Sequence, residues 1–373
     1  MDHRTRVYDD VTELLPSEEN PSPMVRLNRL TPAPETFPLF AKLEWMNPFG
    51  SVKDRAASYL LRDLEERGEL TPDPEGGGHP DGNGRRPRGI VEPTSGNTGI
   101  SLATLASARG YPMLAVVPNK VPLEKKVLLK IAGAELEVVN DDLCPSPGMG
   151  DGSINLAKTY AKAQRDRYAM PNQYENEANV RAHIETTGPE IWRQTDGRVT
   201  HVFLSLGTCG TVTGLGRYLK EKNPEIQIHA VQPTEGHDVP GLRNVRQLEV
   251  SKLFDPSLID EIHEIDYEIA YTRALELARR EGLLAGPSAG LIHEGARRVV
   301  ERGGAGFGVL LFPDNVFKYI SNLIKHVPAL AEGTTPPNQA NQANQAEPVH
   351  RDHQAYQTNQ APQANPTNPG GER

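Results

Sequence analysis

The sequence predicts a doubly wound α/β protein, and three observations predict it. Short apolar runs alternate with segments of helical spacing, as expected of parallel strands joined by single crossover helices. Glycine-rich turns fall where a run ends and a helix begins, which is where such sheets bind ligands. The 373 residues, at roughly 150 per domain, suggest about two domains, each able to bury a sizeable core.

In order, EWMNPFGSVKDRAASYLLRDLEERG holds a turn, Asn47 to Gly50, followed by a helix that begins at Lys53. GIVEPT (Gly89–Thr94) reads as a strand feeding the helical GISLATLASARG, which Gly110 closes. YPMLAVVP is the next strand, LEKKVLLKIAGA a helix ended by Gly133, and ELEVVN a strand. Further on, THVFLSLG, VTGLGRYLKEKN and IQIHAVQP read as strand, helix and strand. Two stretches differ in kind. TPDPEGGGHPDGNGRRPRG, 71–89, reads as a solvated loop, and its three arginines are better explained by a variable insertion than by a partner. After Leu330 the triplet Asn-Gln-Ala recurs at 338, 341, 344 and 359, and Val349 and Tyr356 are the only sizeable apolar side chains. Burial there could not offset the ordering entropy, so 331–373 is expected to be a disordered, solvated appendage.

The charge balance is acidic, 40 Lys+Arg against 49 Asp+Glu, which argues against a protein that coats nucleic acid or anionic lipid. Cys144 and Cys209 lie far apart with no CxxC partner, which fits a reducing cytoplasm. MDHRTRVYDDVTELLPSEEN lacks the apolar core of a secretory signal, and no run approaches the ~18 apolar residues of a spanning helix. A soluble cytoplasmic protein without nucleic-acid or membrane partners is expected. G-x-G-x-x-G, the Gly-Lys-Ser/Thr phosphate loop and H-E-x-x-H are absent. None of the eleven histidines pairs with a cysteine at metal-ligand spacing, so no metal is expected.

Four motifs carry chemistry. SLGTCGTVTG (205–214) follows a strand and opens a helix. Its glycines let backbone N–H groups turn inward, Thr208 and Thr211 add hydroxyls, and the helix presents its positive end, so it suits a phosphate. EPTSGNTG (92–99) clusters Thr94, Ser95, Asn97 and Thr98 at a helix start, either as simple caps or as a second anion cradle. Two such turns in one chain suit two anionic groups held together. Lys53 sits at a helix N-terminus, where the dipole favours the neutral amine that a Schiff base requires. The alternative is a surface lysine paired with Asp54 or Glu44. AGPSAG (285–290) fits the G-x-S-x-G elbow of α/β-hydrolases, with Ser288 as nucleophile. The acid and histidine would then have to be Asp314 and His326, only twelve residues apart, or a tail residue such as His350.

Together NPFGSVKDR, TSGNTG, GTCGT and GPSAG, in that order, resemble the fold-type II pyridoxal-phosphate enzymes, most nearly the cysteine synthase branch of O-acetylserine and O-phosphoserine sulfhydrylases. NQYENEANVRAHIETTGPEIW (172–192) and PDNVFKYIS (313–321) strengthen the resemblance, which spans about Ser22 to Ile324. It implies two doubly wound domains with twisted, mainly parallel sheets and the cofactor in the cleft between them. Residues 20–39 and 176–330 would form the larger domain and 40–175 the smaller, behind an N-terminal extension, 1–19. It also implies a homodimer whose smaller domain closes over the substrate.

On the same resemblance Lys53 would form the internal aldimine with pyridoxal 5′-phosphate and act as the catalytic base. Gly207, Thr208, Cys209, Gly210 and Thr211 would hold the phosphate, Ser288 the ring nitrogen, and Asn97 the ring hydroxyl. Thr94, Ser95, Thr98 and Gln173 would grip the substrate carboxylate. Cys209 departs from the branch, which usually has glycine there; backbone donors survive the change, and a buried inert thiol is the expectation. GHDVPGLRNVRQ (236–247) resembles a loop that places an arginine near the phosphate of O-phosphoserine, with Arg243 the candidate and Arg246 an equal one. The implied reaction is β-replacement through an aminoacrylate, giving L-cysteine or an S-substituted cysteine. Condensation of serine with homocysteine, as in cystathionine β-synthase, is the sister reading, and an α/β-hydrolase using Ser288 is the reading from another class.

Overall fold

Ten strands among the described residues form two sheets, seen in a computed structural model that describes residues 7–72, 88–140 and 152–333. In chain order they are β1 (Met24–Arg26), β2 (Leu39–Leu43), β3 (Gly89–Pro93), β4 (Met113–Pro118), β5 (Ala134–Val139), β6 (Tyr168–Ala169), β7 (His201–Ser205), β8 (Gln227–Pro233), β9 (Glu261–Ile265) and β10 (Gly308–Phe312). The larger sheet has the order β1-β2-β10-β7-β8-β9 and the smaller β5-β4-β3-β6. Every pairing is parallel except β1 with β2. The central strands β3, β4 and β10 are buried along their whole length, as parallel strands covered by helices on both faces must be.

The helices are α1 (Lys53–Glu66), α2 (Asn97–Ala108), α3 (Leu123–Ile131), α4 (Gly152–Ala163), α5 (Ala178–Ala182), α6 (Gly188–Gln194), α7 (Gly210–Lys222), α8 (Tyr267–Glu276), α9 (Pro287–Glu301) and α10 (Ile320–His326). Each strand and helix expected from the alternating pattern is present within a few residues of its expected limits. Gly110 (φ +76°) and Gly133 (φ +92°) follow α2 and α3 in the left-handed region that favours glycine. α1 turns Ala57, Leu61 and Leu64 onto the core of the smaller sheet with Leu105, Val117 and Leu129. α7 sends Val212, Leu215 and Leu219 into the core of the larger sheet with Val202, Leu204 and Ile228.

β2 straddles the expected domain boundary at 39/40, because Leu39 through Leu43 pair continuously with β10 in the larger sheet. Gly89, expected to end the low-complexity loop, is the first residue of β3. The remainder of that loop from 73 to 87, Cys144 and the tail from 334 lie outside the described residues. Of the N-terminal extension, 7–19 are described and carry one helical turn, Val11–Leu14. The described residues through Leu330 form one compact unit. No described helix is long and apolar enough to cross a membrane.

A fully buried charge cluster ties β2 and α1 to α6. Arg55 donates to Glu44 through Nε (2.7 Å) and Nη2 (2.9 Å), and to Glu190 through Nη1 (2.6 Å) and Nη2 (2.8 Å). Lys42 Nζ donates to the same Glu190 at 2.8 Å, and Ser22 Oγ to Glu44 at 2.7 Å. Two carboxylates face two cations with most lone pairs filled, the condition under which buried ions are tolerated. Because Arg55 lies one turn or less from Lys53 on α1, the cluster anchors the helix that carries the reactive lysine.

Candidate active site

The cavity lies at the carboxyl ends of strands from both sheets, where the glycine-rich turns meet. Lys53, the first residue of α1, lines it with Ser95, Asn97, Thr98, Gln173, Gly207, Thr208, Thr211 and Ser288. Burial holds the Lys53 pKa below the ordinary lysine value, opposed chiefly by the negative charge of Asp314. The turn before it is pinned by Asp54, which accepts from the Phe49 N–H at 2.8 Å and the Ser101 hydroxyl at 2.6 Å. Burial raises the Asp54 carboxyl to about 6.

The 205–211 turn opens α7, whose N-terminal N–H groups face the cavity with the helix dipole behind them. Thr208 Oγ1 accepts from Asn179 Nδ2 at 3.0 Å, and Thr211 Oγ1 bonds His183 Nε2 at 3.1 Å. Burial depresses His183 to about 3, so its imidazole is neutral, and its Nδ1 bonds Thr187 at 2.8 Å. Gly210 stands against Asn179: a Cβ there would come within 2.2 Å of Oδ1. Cys209 has φ +67°, the left-handed conformation that explains the usual glycine. It belongs to the same buried cluster as Val52, Leu206 and Leu311, and burial pushes its thiol up to about 12, as suits an inert thiol.

On the opposite wall Thr98 donates to Gln173 Oε1 at 2.6 Å, and Gln173 Nε2 donates to the Pro93 carbonyl at 2.8 Å. Glu92 accepts from the backbone N–H of Asn172 (2.9 Å) and Gln173 (3.0 Å), which fixes that glutamine from below. Thr94 stands behind the wall, where Oγ1 accepts from the N–H groups of Gly96 and Gly99, both at 3.0 Å. The hydroxyl thus satisfies N–H groups at the start of α2, whose N-cap, Gly96, has no side chain to do so. Cys209, Gly210 and Arg243 also lie outside the lining. Arg243 nonetheless donates to the Tyr174 hydroxyl at 3.2 Å and stacks over that ring, and Tyr174, Gly241 and Leu242 are lining residues. Arg246 is exposed and paired with Glu235 at 2.8 Å, whereas Arg243 is buried.

Asp314, weighed above only as the acid of a hydrolase, and Lys125, which carried no assignment, also line the cavity. Asp314 accepts from Asn97 Nδ2 at 2.7 Å and from the Tyr319 hydroxyl. Lys125 sits over the Tyr319 ring with Nζ 4.0 Å from the centroid, and burial pushes it down to about 8. Gly96, at φ +135°, lies against the Lys125 stem. Asp314 thus balances the cationic groups of the cavity. For that role the resemblance of the segment 313–321 was the only sequence signal, because Lys53 and Lys125 are far from the carboxylate in the chain.

These residues fit pyridoxal phosphate. A buried acceptor, Asn97 Oδ1, has no hydrogen-bond partner among the described residues and would be satisfied by a ring hydroxyl. The α7 turn suits a phosphate. Ser288 is the second residue of α9, where the positive end of the helix disfavours a protonated ring nitrogen.

Fold and site define a pyridoxal-phosphate enzyme, and the comparisons agree. The family described as Pyridoxal-phosphate dependent enzyme matches residues 15–314, and this chain belongs to it. Among its relatives are cysteine synthase B of Salmonella typhimurium (strain LT2), 38% identical over 300 residues that cover 80% of this chain and 92% of that protein, and cysteine synthase B of Pseudomonas aeruginosa, 40% identical over 270 residues, 72% and 83%. Among solved structures, O-ureido-L-serine synthase superposes with a TM-score of 0.74 at 30% identity, covering 91% of this chain and all of the other. O-acetyl serine sulfhydrylase isoform 3 of Entamoeba histolytica superposes at 0.69, with 28% identity and 86% and 93% coverage.

The hydrolase reading fails on geometry. Ser288 shares its cavity with Lys53, whereas His326 bonds Asp238 at 3.1 Å and stacks on Tyr271. No histidine lines the cavity among the described residues.

Proposed function

We propose that this enzyme makes L-cysteine, or an S-substituted cysteine, by β-replacement on O-phosphoserine or O-acetylserine with a sulfur nucleophile. The observation that carries it is a lysine held toward its neutral form, in one cavity with an anion cradle at a helix N-terminus and a second polar loop. Relatives named cysteine synthase favour this over condensation of serine with homocysteine.

When bound, pyridoxal phosphate supplies an aldehyde that condenses with amines and an electron sink that eases loss of the α-proton and the β-substituent. Gly207, Thr208, Gly210 and Thr211 would hold its phosphate, and His183 and Asn179 fix the two threonine hydroxyls. Asn97 and Ser288 would hold its ring hydroxyl and ring nitrogen. The neutral amine of Lys53 takes the α-proton and returns a proton at the end of the cycle. Thr98 and Gln173, already hydrogen-bonded to each other, hold the substrate carboxylate with Ser95, while Thr94 shapes the loop. Arg243, braced by Tyr174, receives the phosphate of O-phosphoserine. Residues 40–175 act as a smaller domain that closes on the substrate, with Ser95 meeting Gly241 across the cavity. The chain works in the cytoplasm as a homodimer, and the exposed apolar side chains Leu123, Val127, Phe317, Ile320 and Ile324, which flank one groove, support pairing.

Reconstituting the chain with cofactor and replacing Lys53 tests this. Lys53→Ala is expected to abolish the imine absorbance and to lower turnover by roughly 10²–10⁴-fold or more. Lys53→Arg is expected to do the same, because its guanidinium stays charged. Turnover by Lys53→Ala at the wild-type rate would overturn the assignment.

A further inference from the structure

The larger sheet carries a second constellation, away from the cofactor cavity. β8 and β9 are parallel neighbours in which His229 is paired with Glu261, and His263 lies two residues on, on the same face of β9. The side chains converge: His229 Nδ1 is 3.1 Å from His263 Nε2, and Glu261 Oε2 is 3.6 Å from the first and 3.5 Å from the second. The point equidistant from these three atoms is about 2.0 Å from each, the length of a zinc–nitrogen or zinc–carboxylate bond. Three ligands about 2.05 Å from a tetrahedral ion are separated by about 3.3 Å, close to the spacing seen. The site needs little movement to close on an ion.

We propose that His229, Glu261 and His263 bind a divalent first-row transition metal ion, best matched by zinc. Both imidazoles are buried. Their rings are held in place by stacking. His229 lies 4.5 Å from Phe203 and 5.3 Å from His201, so two aromatic neighbours from β7 fix its tilt. Arg302 Nη1 donates to Glu261 Oε2 at 2.9 Å and forms an ion pair with Oε1 at 2.7 Å, which orients the carboxylate from outside, as second-shell groups do. Glu261 is about a third exposed, which leaves an entry path and a fourth position for water. Nothing in the chain order announces the triad, since the histidines are 34 residues apart and meet only through strand pairing. The ion would staple β9, the edge strand, to β8.

Zinc binding by tag-free holoenzyme, stripped with chelator and dialysed against zinc, tests the site. The full chain is expected to retain one equivalent, with the unfolding temperature raised by zinc. Glu261→Gln and His263→Gln are each expected to weaken binding at least tenfold and to abolish the zinc-dependent rise. Their unfolding temperatures in chelator report whether the fold is intact, and Glu261→Gln, at the partly exposed edge, guards against a folding failure of the buried-histidine variant. Wild-type chain that retains no stoichiometric zinc, or folded variants that bind it as tightly, would show a merely hydrogen-bonded histidine pair and overturn the proposal. Zinc held by the cofactor phosphate or by tail histidines stays the same in all three proteins and cancels in the comparison.

Discussion

Replacing Arg243 with alanine should separate the two candidate donors. The guanidinium is buried, donates to Tyr174 at 3.2 Å and lies 5.2 Å over that ring, beside a wall formed by Tyr174, Gly241 and Leu242. It is therefore held in one place before a substrate arrives. A hydrogen bond to a charged group is worth about 1.5–3 kcal/mol, so its loss should lower kcat/KM for O-phosphoserine by roughly 10- to 150-fold. O-acetylserine offers a neutral ester, and its kcat/KM should change by less than about threefold. Steady-state assays of cysteine formation with each donor, at fixed ionic strength, read the two numbers. Arg246→Ala is the internal control: that side chain is exposed and paired with Glu235, and its loss should leave both donors unchanged. Equal falls for the two donors in Arg243→Ala would show that the arginine only braces Tyr174, and would remove it from substrate recognition.

The buried cluster gives a stability prediction. Arg55→Met leaves Glu44 and Glu190 buried with only Lys42 between them, a net charge of −1 where the native cluster is neutral. Breaking such a pair costs about 3–5 kcal/mol, which at about 2.1 cal/mol/K per residue is a fall of roughly 4–8 °C in the unfolding temperature. Arg55→Met with Glu44→Gln restores neutrality and should recover much of the loss; a double variant no better than the single would refute the electrostatic account. The native Glu44 carboxyl is depressed to about 2, so it binds protons less readily folded than unfolded. Its stabilising contribution is present above about pH 4.5 and is lost as pH falls toward 2, which a series of melting curves between pH 5 and 3 would show as a steepening loss in the native chain but not in Glu44→Gln. For the homodimer, sedimentation should give twice the chain mass, and Val127→Lys with Phe317→Lys should halve it; unchanged mass in the double variant would place the interface elsewhere.

The local sequence determined the elements and the reactive turns. Alternation of period-two and helical segments named the strands and helices, because burial of a strand face or a helix stripe leaves its spacing in the chain. Lys53 at a helix start, the 205–211 glycines and the 94–98 hydroxyls were legible because caps and anion cradles are short-range devices, each built from neighbours in sequence. Tertiary structure alone decided what distant segments do together. Asp314 meets Asn97 across 217 positions, and Arg55 meets Glu190 across 135. The Thr94 hydroxyl accepts from the N–H groups of Gly96 and Gly99, and Arg243 differs from Arg246 in being buried. The His229, Glu261 and His263 triangle exists because two strands share a register. Strand register and helix docking bring together side chains whose separation along the chain carries no trace of it, since packing selects partners by shape and charge and not by order.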